Sequence, residues 1–489
     1  MFALPIYYRP AAALLCVLTP GLRAQEGDLA ERLYLSGERA YAAKSYKEAT
    51  ETWQQLLQSN PTSSYCPKAL LKLAQHQIET ERKPEAALPF LDRLKADYLK
   101  SPEAAEGMLL SGKLLLLHAH RPGELKDAMA EFNRVLDLYP DAPACAEARF
   151  ELGRAWNLLG QWGRALPQFL DAFRIRYDAR VAPRAMLAAA ETMDLLGDLP
   201  GCLRMLQQLR TEFPALPEAQ EATWRMAVRV KHRLQRPALK LEGPWPQGRV
   251  KWLKTPLLLQ STPEGDLLIF QNDLDRTFRL RGPELTPVGP SSPSARALVS
   301  TGKGTLWTLT KNALIREETP IPQPIGTLNA ISGAVLDAWN QLWIADAKVA
   351  ALTVLAPDGT TRTVGSPPLQ ALAAQPGGGM VAASDSDRKL LFLDQEGQPR
   401  HIIPYGKDLP AAFRTVTALG SDGAGQVAAL VDGGDYGEGV LIFGPDGTLL
   451  RQVQFKPLGI SGRITSVALD RSGALILCDR RNDVLLRLN

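Results

Sequence analysis

The first half of this chain is governed by an internal repeat of small residues. Gly37, Ala74, Gly112, Gly153 and Ala190 recur at gaps of 37, 38, 41 and 37 residues. A second small series, Ala49, Ala86, Ala128, Ala165 and Cys202, follows each of these by twelve or sixteen positions. Four residues beyond each stands a large apolar group: Trp53, Phe90, Phe132, Phe169 and Leu206. Two small positions let paired helices approach, and a large residue one turn on fills the gap between pairs. Proline or aspartate closes most units, at Pro61, Pro140, Asp178 and Pro214, and the loop HAHRPGELK accounts for the one longer gap. Five helical hairpins with a closing helix are therefore expected over residues 25–235.

After Gln235 the helical period stops, and RPALKLEGPWPQGRV has the proline and glycine density of a linker, residues 236–249. Beyond it, six segments of the form strand, polar turn, strand carry Gly265, Gly304, Asn340, Gly379, Gly425 and Gly473 as turn markers. Several continue through a D-G or E-G turn, as in TVLAPDGTTRTV and LIFGPDGTLLRQV. Four short strands per unit, repeated, is the pattern of a six-bladed propeller over residues 250–489. The last unit ends at Asn489 with three strands of its own, whereas the β-like run ALKLEGPW precedes the first blade with none to join. An open ring edge favours aggregation, so that run is expected to supply the missing outer strand. The expected fold is multi-domain: an α-helical solenoid, then an all-β propeller.

Residues 1–24 read as a signal peptide, with an apolar core at Ala11–Leu18 and a small-residue cleavage site after Ala24. Export to the periplasm or the extracellular space is expected. Leu15 is too large for the position before a lipidated cysteine, which argues against anchoring through Cys16. No apolar run approaches the ~20 residues a spanning helix needs. The net charge is +4, and Arg9 and Arg23 of the leader supply part of that excess, so nucleic acid is not indicated. Cys66 and Cys145 hold equivalent places two repeats apart, too far for a bridge, and Cys66, Cys145, Cys202 and Cys478 are expected to be thiols.

The stretch LGRAWNLLGQWGRALPQFLDAF, residues 152–173, resembles the tetratricopeptide repeat family, and the likeness covers residues 28–235. Longer periods and hairpins ending in YPDAPACAEARF and EFPALPEAQEATW look like the envelope branch, which includes repeats of outer-membrane assembly and of the Tol–Pal coordinator. Mapped onto this sequence, the family's groove positions are Tyr34, Glu38 and Tyr41, then Lys68, Leu71 and Gln75, then Leu109 and Lys113. They continue with Phe150, Arg154 and Asn157, and end with Leu187 and Glu191. Aromatic and charged residues there imply capture of a protein or peptide of the cell envelope. Replacing Phe150 and Arg154 by alanine is expected to leave the fold intact and weaken that partner. Blades such as LILCDRRNDVLLRL and LWIADAKVAALTVL are similar to the NHL family of six-bladed propellers.

Catalytic signatures are absent from the sequence: no phosphate-cradling glycine loop, G-x-S-x-G, HExxH or CxxC occurs. His118 and His120 lack a third ligand, and His401 is the one histidine of the propeller half, so neither a metal nor another cofactor is expected. Asp346, Asp385, Asp432 and Asp479 end the second strand of successive blades. They could ring the channel mouth and hold Ca²⁺, but Asp in such places commonly accepts the N–H groups of its own turn. Asp435, beside Asp432 in VDGGDYGEG, is the least stereotyped. The run from Arg225 to Lys240, with Arg229, Lys231, Arg233 and Arg236, is expected to be a solvated basic face, or else a peripheral contact to anionic lipid or glycan. The expected function is that of an exported non-enzymatic scaffold. The alternative is a propeller-based enzyme, lyase or hydrolase, or a ligand sensor, with the helical half as docking module.

Overall fold

The computed structural model describes residues 20–175, 180–245, 256–262, 265–281, 284–289, 295–300, 306–310, 314–316, 319–321, 328, 330–357, 359–405, 413–432 and 437–489. Expectations for Cys16, Asp178, Gly304, Asp435 and the linker stretch 246–249 lie outside the described residues. The chain divides into two compact units, one formed by residues up to 115 with 130–144, the other by 116–129 with 145–489.

Helices α1 (Pro20–Ala42), α2 (Tyr46–Ser59), α3 (Cys66–Glu79), α4 (Leu88–Asp97), α5 (Pro102–His118) and α6 (Leu125–Leu138) make three hairpins. Helices α7 (Ala144–Leu158), α8 (Trp162–Ile175), α9 (Ala182–Leu195) and α10 (Leu199–Glu212) make two more. Helix α11 (Pro217–Arg229) closes the series and runs into a π turn over Val230–Gln235. Helix α1, described from Pro20, runs across the expected processing point after Ala24.

The small-against-large pairing holds the hairpins as the repeat predicts. A Cβ at Gly112 would stand 2.6 Å from the Phe132 ring, and one at Gly153 2.5 Å from that of Phe169. Trp53, Phe132 and Phe169 are fully buried. The second hairpin departs by one residue: Ala87 and Leu91 are buried, and Ala86 and Phe90 are not. A 3₁₀ turn over Pro84–Ala87 precedes α4, and its tighter winding shifts the helical phase. Cys66, Cys145, Cys202 and Cys478 are buried thiols that form no disulfide.

Among the described residues the second half forms six four-stranded antiparallel sheets. The first strands are Pro256–Ser261, Ala297–Ser300, Ile331–Leu336, Ala371–Ala374, Thr415–Ser421 and Ile464–Leu469, and the first five blades lay their strands outward in chain order. Second strands such as Leu342–Asp346, Met380–Ser384 and Leu475–Asp479 are buried along their whole length, since neighbouring blades cover both faces. Their unbroken apolar runs follow from that. The ring closes as expected: Leu241–Trp245 pairs antiparallel with Val484–Leu488, setting Leu241 against Leu488 and Trp245 against Leu485. Gly265, Asn340, Gly425 and Gly473 have the left-handed backbone their turns require. In the fourth blade Gly377 and Gly378 take that role in place of Gly379.

Because Gly153 sits against the Phe169 ring, Gly153→Ala is expected to cost about 1–3 kcal/mol in urea denaturation. Adding Phe169→Leu, which clears space for the new methyl group, should recover part of that loss.

Candidate functional site

In the first unit Tyr34 stacks on Tyr65 at 5.4 Å, and Lys68 lies 5.1 Å from the Tyr65 ring. Burial, assisted by Glu38 and Glu103, pushes the Tyr34 hydroxyl up to about 12. Glu38 pairs with Lys72 at 3.3 Å, and Gln75 donates to Glu106 at 3.2 Å. These groups form a ladder of polar and aromatic side chains on α1, α3 and α5. Tyr41 belongs to the packing instead: its ring meets Trp53 at 5.5 Å and its hydroxyl bonds Thr80 at 2.9 Å. Leu71 and Leu109 are buried, which removes them from an open groove.

The second unit overturns the groove assignment of Phe150. Its ring is 6% exposed, lies 5.8 Å from Phe169 and is capped by the Arg184 guanidinium at 4.3 Å. Phe150 therefore packs against the neighbouring hairpin, against the expectation that its replacement leaves the fold intact. Arg154 pairs with Glu151 of its own helix at 2.6 Å, and Leu187 is half-buried against the cluster around Met186. Asn157 donates its side-chain amide to Thr192 at 3.4 Å, and it is the Asn157 backbone, with the Glu191 side chain, that meets the propeller.

That contact is extensive. The Asn157 carbonyl accepts from Gln395 at 3.3 Å, and the Arg400 guanidinium lies 4.7 Å from the Trp162 ring. Arg225 donates to the Gly423 carbonyl at 3.1 Å, while His232 Nε2 meets the Gly473 carbonyl at 2.7 Å. Arg451 reaches back to the carbonyls of Lys231 and Pro237 at 2.7 and 2.6 Å. In the loop after α5, the His120 carbonyl accepts from Gln341 at 2.8 Å. Every propeller partner here lies at or beside the end where first strands turn into second ones, so these hairpins cover one mouth of the channel.

Ion pairs hold the helices that make this lid. Asp194 of α9 receives Arg229 Nε at 2.7 Å and also pairs with Arg233, and Glu191 pairs with Arg225. Arg229 is 2% exposed, and Asp194 raises its pKa against the opposing effect of burial. Lys231 pairs with Asn489. Arg225, Arg229, Lys231 and Arg233 are thus engaged inside the unit, which corrects the solvated-face and lipid-contact readings for those four, whereas Arg236 and Lys240 are exposed. The signal was present in the sequence as arginines at 225, 229 and 233 opposite acids at 191 and 194, two sets at helical spacing.

Under the lid lies a cavity of about 320 Å³, lined by turns of five blades together with Glu191 and Arg225. Asp422 reaches it from the fifth blade. Its Oδ1 accepts the N–H groups of Ala424 and Gln426, each at 2.9 Å, and its Oδ2 has no hydrogen-bond partner among the described residues. Burial pushes this carboxyl up to about 6, with Arg229 and Arg225 opposing. Neither Asp422 nor Gln375, whose Nε2 also lacks a partner, was singled out from the sequence.

The acids expected at the channel mouth lie at the opposite end, where second strands finish. Asp346 accepts from Ala330 and Lys348 N–H groups at 3.0 and 2.8 Å. Asp385 accepts from the Tyr405 hydroxyl and the Val416 N–H, both at 3.1 Å, and burial raises its pKa. Asp479 accepts from Arg463, Arg481 and Asn482. Asp432 is exposed. Asp346 and Asp479 bind N–H groups of their own turns as turn chemistry provides, whereas Asp385 bonds across to Tyr405 and to the next blade, and no group of three potential metal ligands occurs among the described residues.

Residues 27–169 match the YfiO family, described as an outer membrane lipoprotein. No curated protein matches the chain. Among solved structures, virginiamycin B lyase from Staphylococcus aureus is 12% identical, covering 52% of this chain and 99% of its own, with a TM-score of 0.37. A gluconolactonase from Xanthomonas campestris is 12% identical over 48% of this chain and 86% of its own, TM-score 0.35. The type IV pilus biogenesis factor PilW is 21% identical over 41% of this chain and 86% of its own, TM-score 0.32. No helix among the described residues is long and apolar enough to cross a membrane.

Two predictions follow from the packing and the buried charges. Phe150→Ala should lower the unfolding free energy by about 3–5 kcal/mol, read from urea midpoints, because it opens a cavity between hairpins. The second concerns pH. Burial beside Arg451 and Lys231 holds the His232 imidazole down at about 4, against 6.5 ordinarily, so its contribution is full above pH 6.5 and is lost as pH falls toward 4. Asp422 acts oppositely: with a folded pKa of about 6 against 3.8, its contribution is full below 3.8 and is lost as pH rises through 6. Asp422→Asn removes only the second dependence. From pH 4 to pH 7 its urea-measured stability relative to the unsubstituted protein should rise by about 2–3 kcal/mol.

Proposed function

We propose that this protein is a non-enzymatic scaffold of the cell envelope, joining one protein partner at its first helical unit to another at the open face of its propeller. The observation that carries the reading is the covered channel mouth. Hairpins from residue 145 onward are engaged with their own propeller, and the Tyr34–Tyr65–Lys68 face is the helical surface suited to an outside partner. Aromatic groups beside paired charges are what binding hot spots use. At the opposite mouth, Asp346 and Asp479 are tied to their own turns, which favours recognition over catalysis.

The YfiO match over residues 27–169 supports an envelope location. It also favours lipid attachment at Cys16, against the expectation drawn from Leu15. The N-terminal mass of the mature protein separates acylated Cys16 from cleavage before Gln25.

Photo-crosslinking from Tyr65 and, separately, from Asp432 of the full-length protein in envelope extract should trap two different proteins. Substituting Tyr34→Ala should abolish the first adduct and leave the second. Loss of both adducts together, or a small substrate turned over by the protein with no adduct at either position, would overturn the scaffold reading.

A further inference from the structure

We propose that a cleft where helices α8 and α9 meet the fourth and fifth blades binds a carboxylate carried on a compact apolar group, with the Arg400 guanidinium as the group that takes the charge. This goes beyond the scaffold reading and does not depend on it.

The cleft has a volume of about 320 Å³, roughly ten water volumes of ~30 Å³, which is room for a molecule of about ten non-hydrogen atoms. Trp162 of α8, Leu195 of α9, Pro376 of the fourth blade and Pro445 of the fifth are half-buried and give it apolar walls. The segments that line it, 158–164, 192–198, 230–235, 373–380, 390–402 and 443–448, are each described without a break.

The charges in this lining are not equally free. Asp194 receives Arg229 Nε at 2.7 Å on one oxygen and pairs with Arg233 through the other. Asp446 Oδ1 accepts the Thr448 N–H at 3.1 Å, and its Oδ2 accepts the Thr448 hydroxyl at 2.8 Å. Every carboxylate oxygen here is therefore in use. Counting Arg229 behind Asp194, the guanidiniums of Arg229, Arg233 and Arg400 stand against the two acids, so the excess charge favours an anion.

Arg400 is the guanidinium with donors to spare. It is exposed, lies 4.7 Å from the Trp162 ring, and makes no hydrogen bond or ion pair among the described residues. The acid of the preceding turn, Asp394, spends its Oδ1 on the Glu396 and Gln398 N–H groups at 2.9 and 2.8 Å. Sister blades show that this is not a property of the strand. Arg362, Arg400 and Arg451 each follow a turn glycine by three or four residues, on the outer strands of three successive blades. Arg362 donates to Gln341 at 3.3 Å, and Arg451 donates to the Pro237 and Lys231 carbonyls at 2.6 and 2.7 Å. Arg400 alone of the three is without an acceptor among the described residues. A carboxylate matches the guanidinium fork through two parallel hydrogen bonds. Contact with the indole holds the fork in place beforehand, so less freedom is lost on binding.

The test uses the full-length protein at pH 7 with 3-phenylpropanoate as probe and 3-phenylpropanamide as control, read by ligand-observed NMR titration. The acid should bind with a Kd of about 1 mM and the amide at least about tenfold more weakly. N-acetylglycylphenylalanine is a second probe: binding tighter than the free acid assigns the cleft to a peptide chain end, and weaker binding assigns it to a small acid. Arg400→Gln should weaken the acid at least about tenfold, whereas Arg276→Gln, at an exposed arginine of the first blade, should leave it unchanged. Should Arg400→Gln not fold, Arg400→Lys keeps the charge, loses the fork and should weaken binding about fivefold. No binding of either carboxylate by the unsubstituted protein, an amide bound as tightly as the acid, or equal binding by a folded Arg400 variant would overturn the proposal.

Discussion

The second unit depends on three arginines of one helix meeting the acids of another. Arg225, Arg229 and Arg233 recur at one-turn spacing and pair with Glu191 and Asp194 on α9. Buried charges are costly unless paired and hydrogen-bonded, and Asp194 between two guanidiniums meets that condition. The pairing fixes α11 against α9, and α11 then carries Arg225 to the Gly423 carbonyl and leads into the turn that places His232 on Gly473. Helical repeats and propeller are joined through polar groups of defined geometry, which suits guanidiniums and backbone carbonyls better than it suits a flexible lysine.

Ring closure supports that junction from the other side. Leu241–Trp245 completes the last blade, and the residues just before it leave the π turn beside the same blade. Lys240 and Asn489 exchange backbone hydrogen bonds at 3.0 Å, so the end of the chain is tied to the segment that links helices to propeller. Arg487 of the closing blade bonds Glu242 at 2.6 Å on the added strand. Loosening the closing strand would therefore disturb the lid as well as the ring.

The fold was legible because both halves are repeats, in which one local rule is stated several times. Small and large residues at fixed spacing gave the hairpins, and an unpaired strand before a three-stranded last blade gave the closure. One slip, Ala86 and Phe90 for Ala87 and Leu91, came from a 3₁₀ turn that spacing alone does not reveal. The candidate site was less legible, since it arises from contact between elements more than a hundred residues apart. Phe150 looked like a groove residue because helix periodicity tells which residues share a face, without telling what covers that face. The basic run looked solvated because its acidic partners lie on another helix. At the other end of the channel, the alternative reading of Asp346 and Asp479 as turn acids needed only local chemistry, and the hydrogen bonds of both acids agree with it.

Repetition also explains why one turn in the ring can differ chemically from its neighbours at little cost to the fold. Each turn aspartate uses one oxygen to fix its own backbone, and that role is filled alike in Asp337, Asp422 and Asp470. The second oxygen is not needed for the turn. Its partner comes from a neighbouring strand, as Trp343 in one blade and Arg487 in another, and can change without altering strand register. In the fifth blade the partner position is Ala428, fully buried between sheets, so the fold gains packing there and leaves a carboxylate oxygen unanswered. The same blade lies under Arg225, which donates to its Gly423 carbonyl. A repeat scaffold can thereby vary the polar partners of its turns from blade to blade while each turn keeps the same backbone hydrogen bonds.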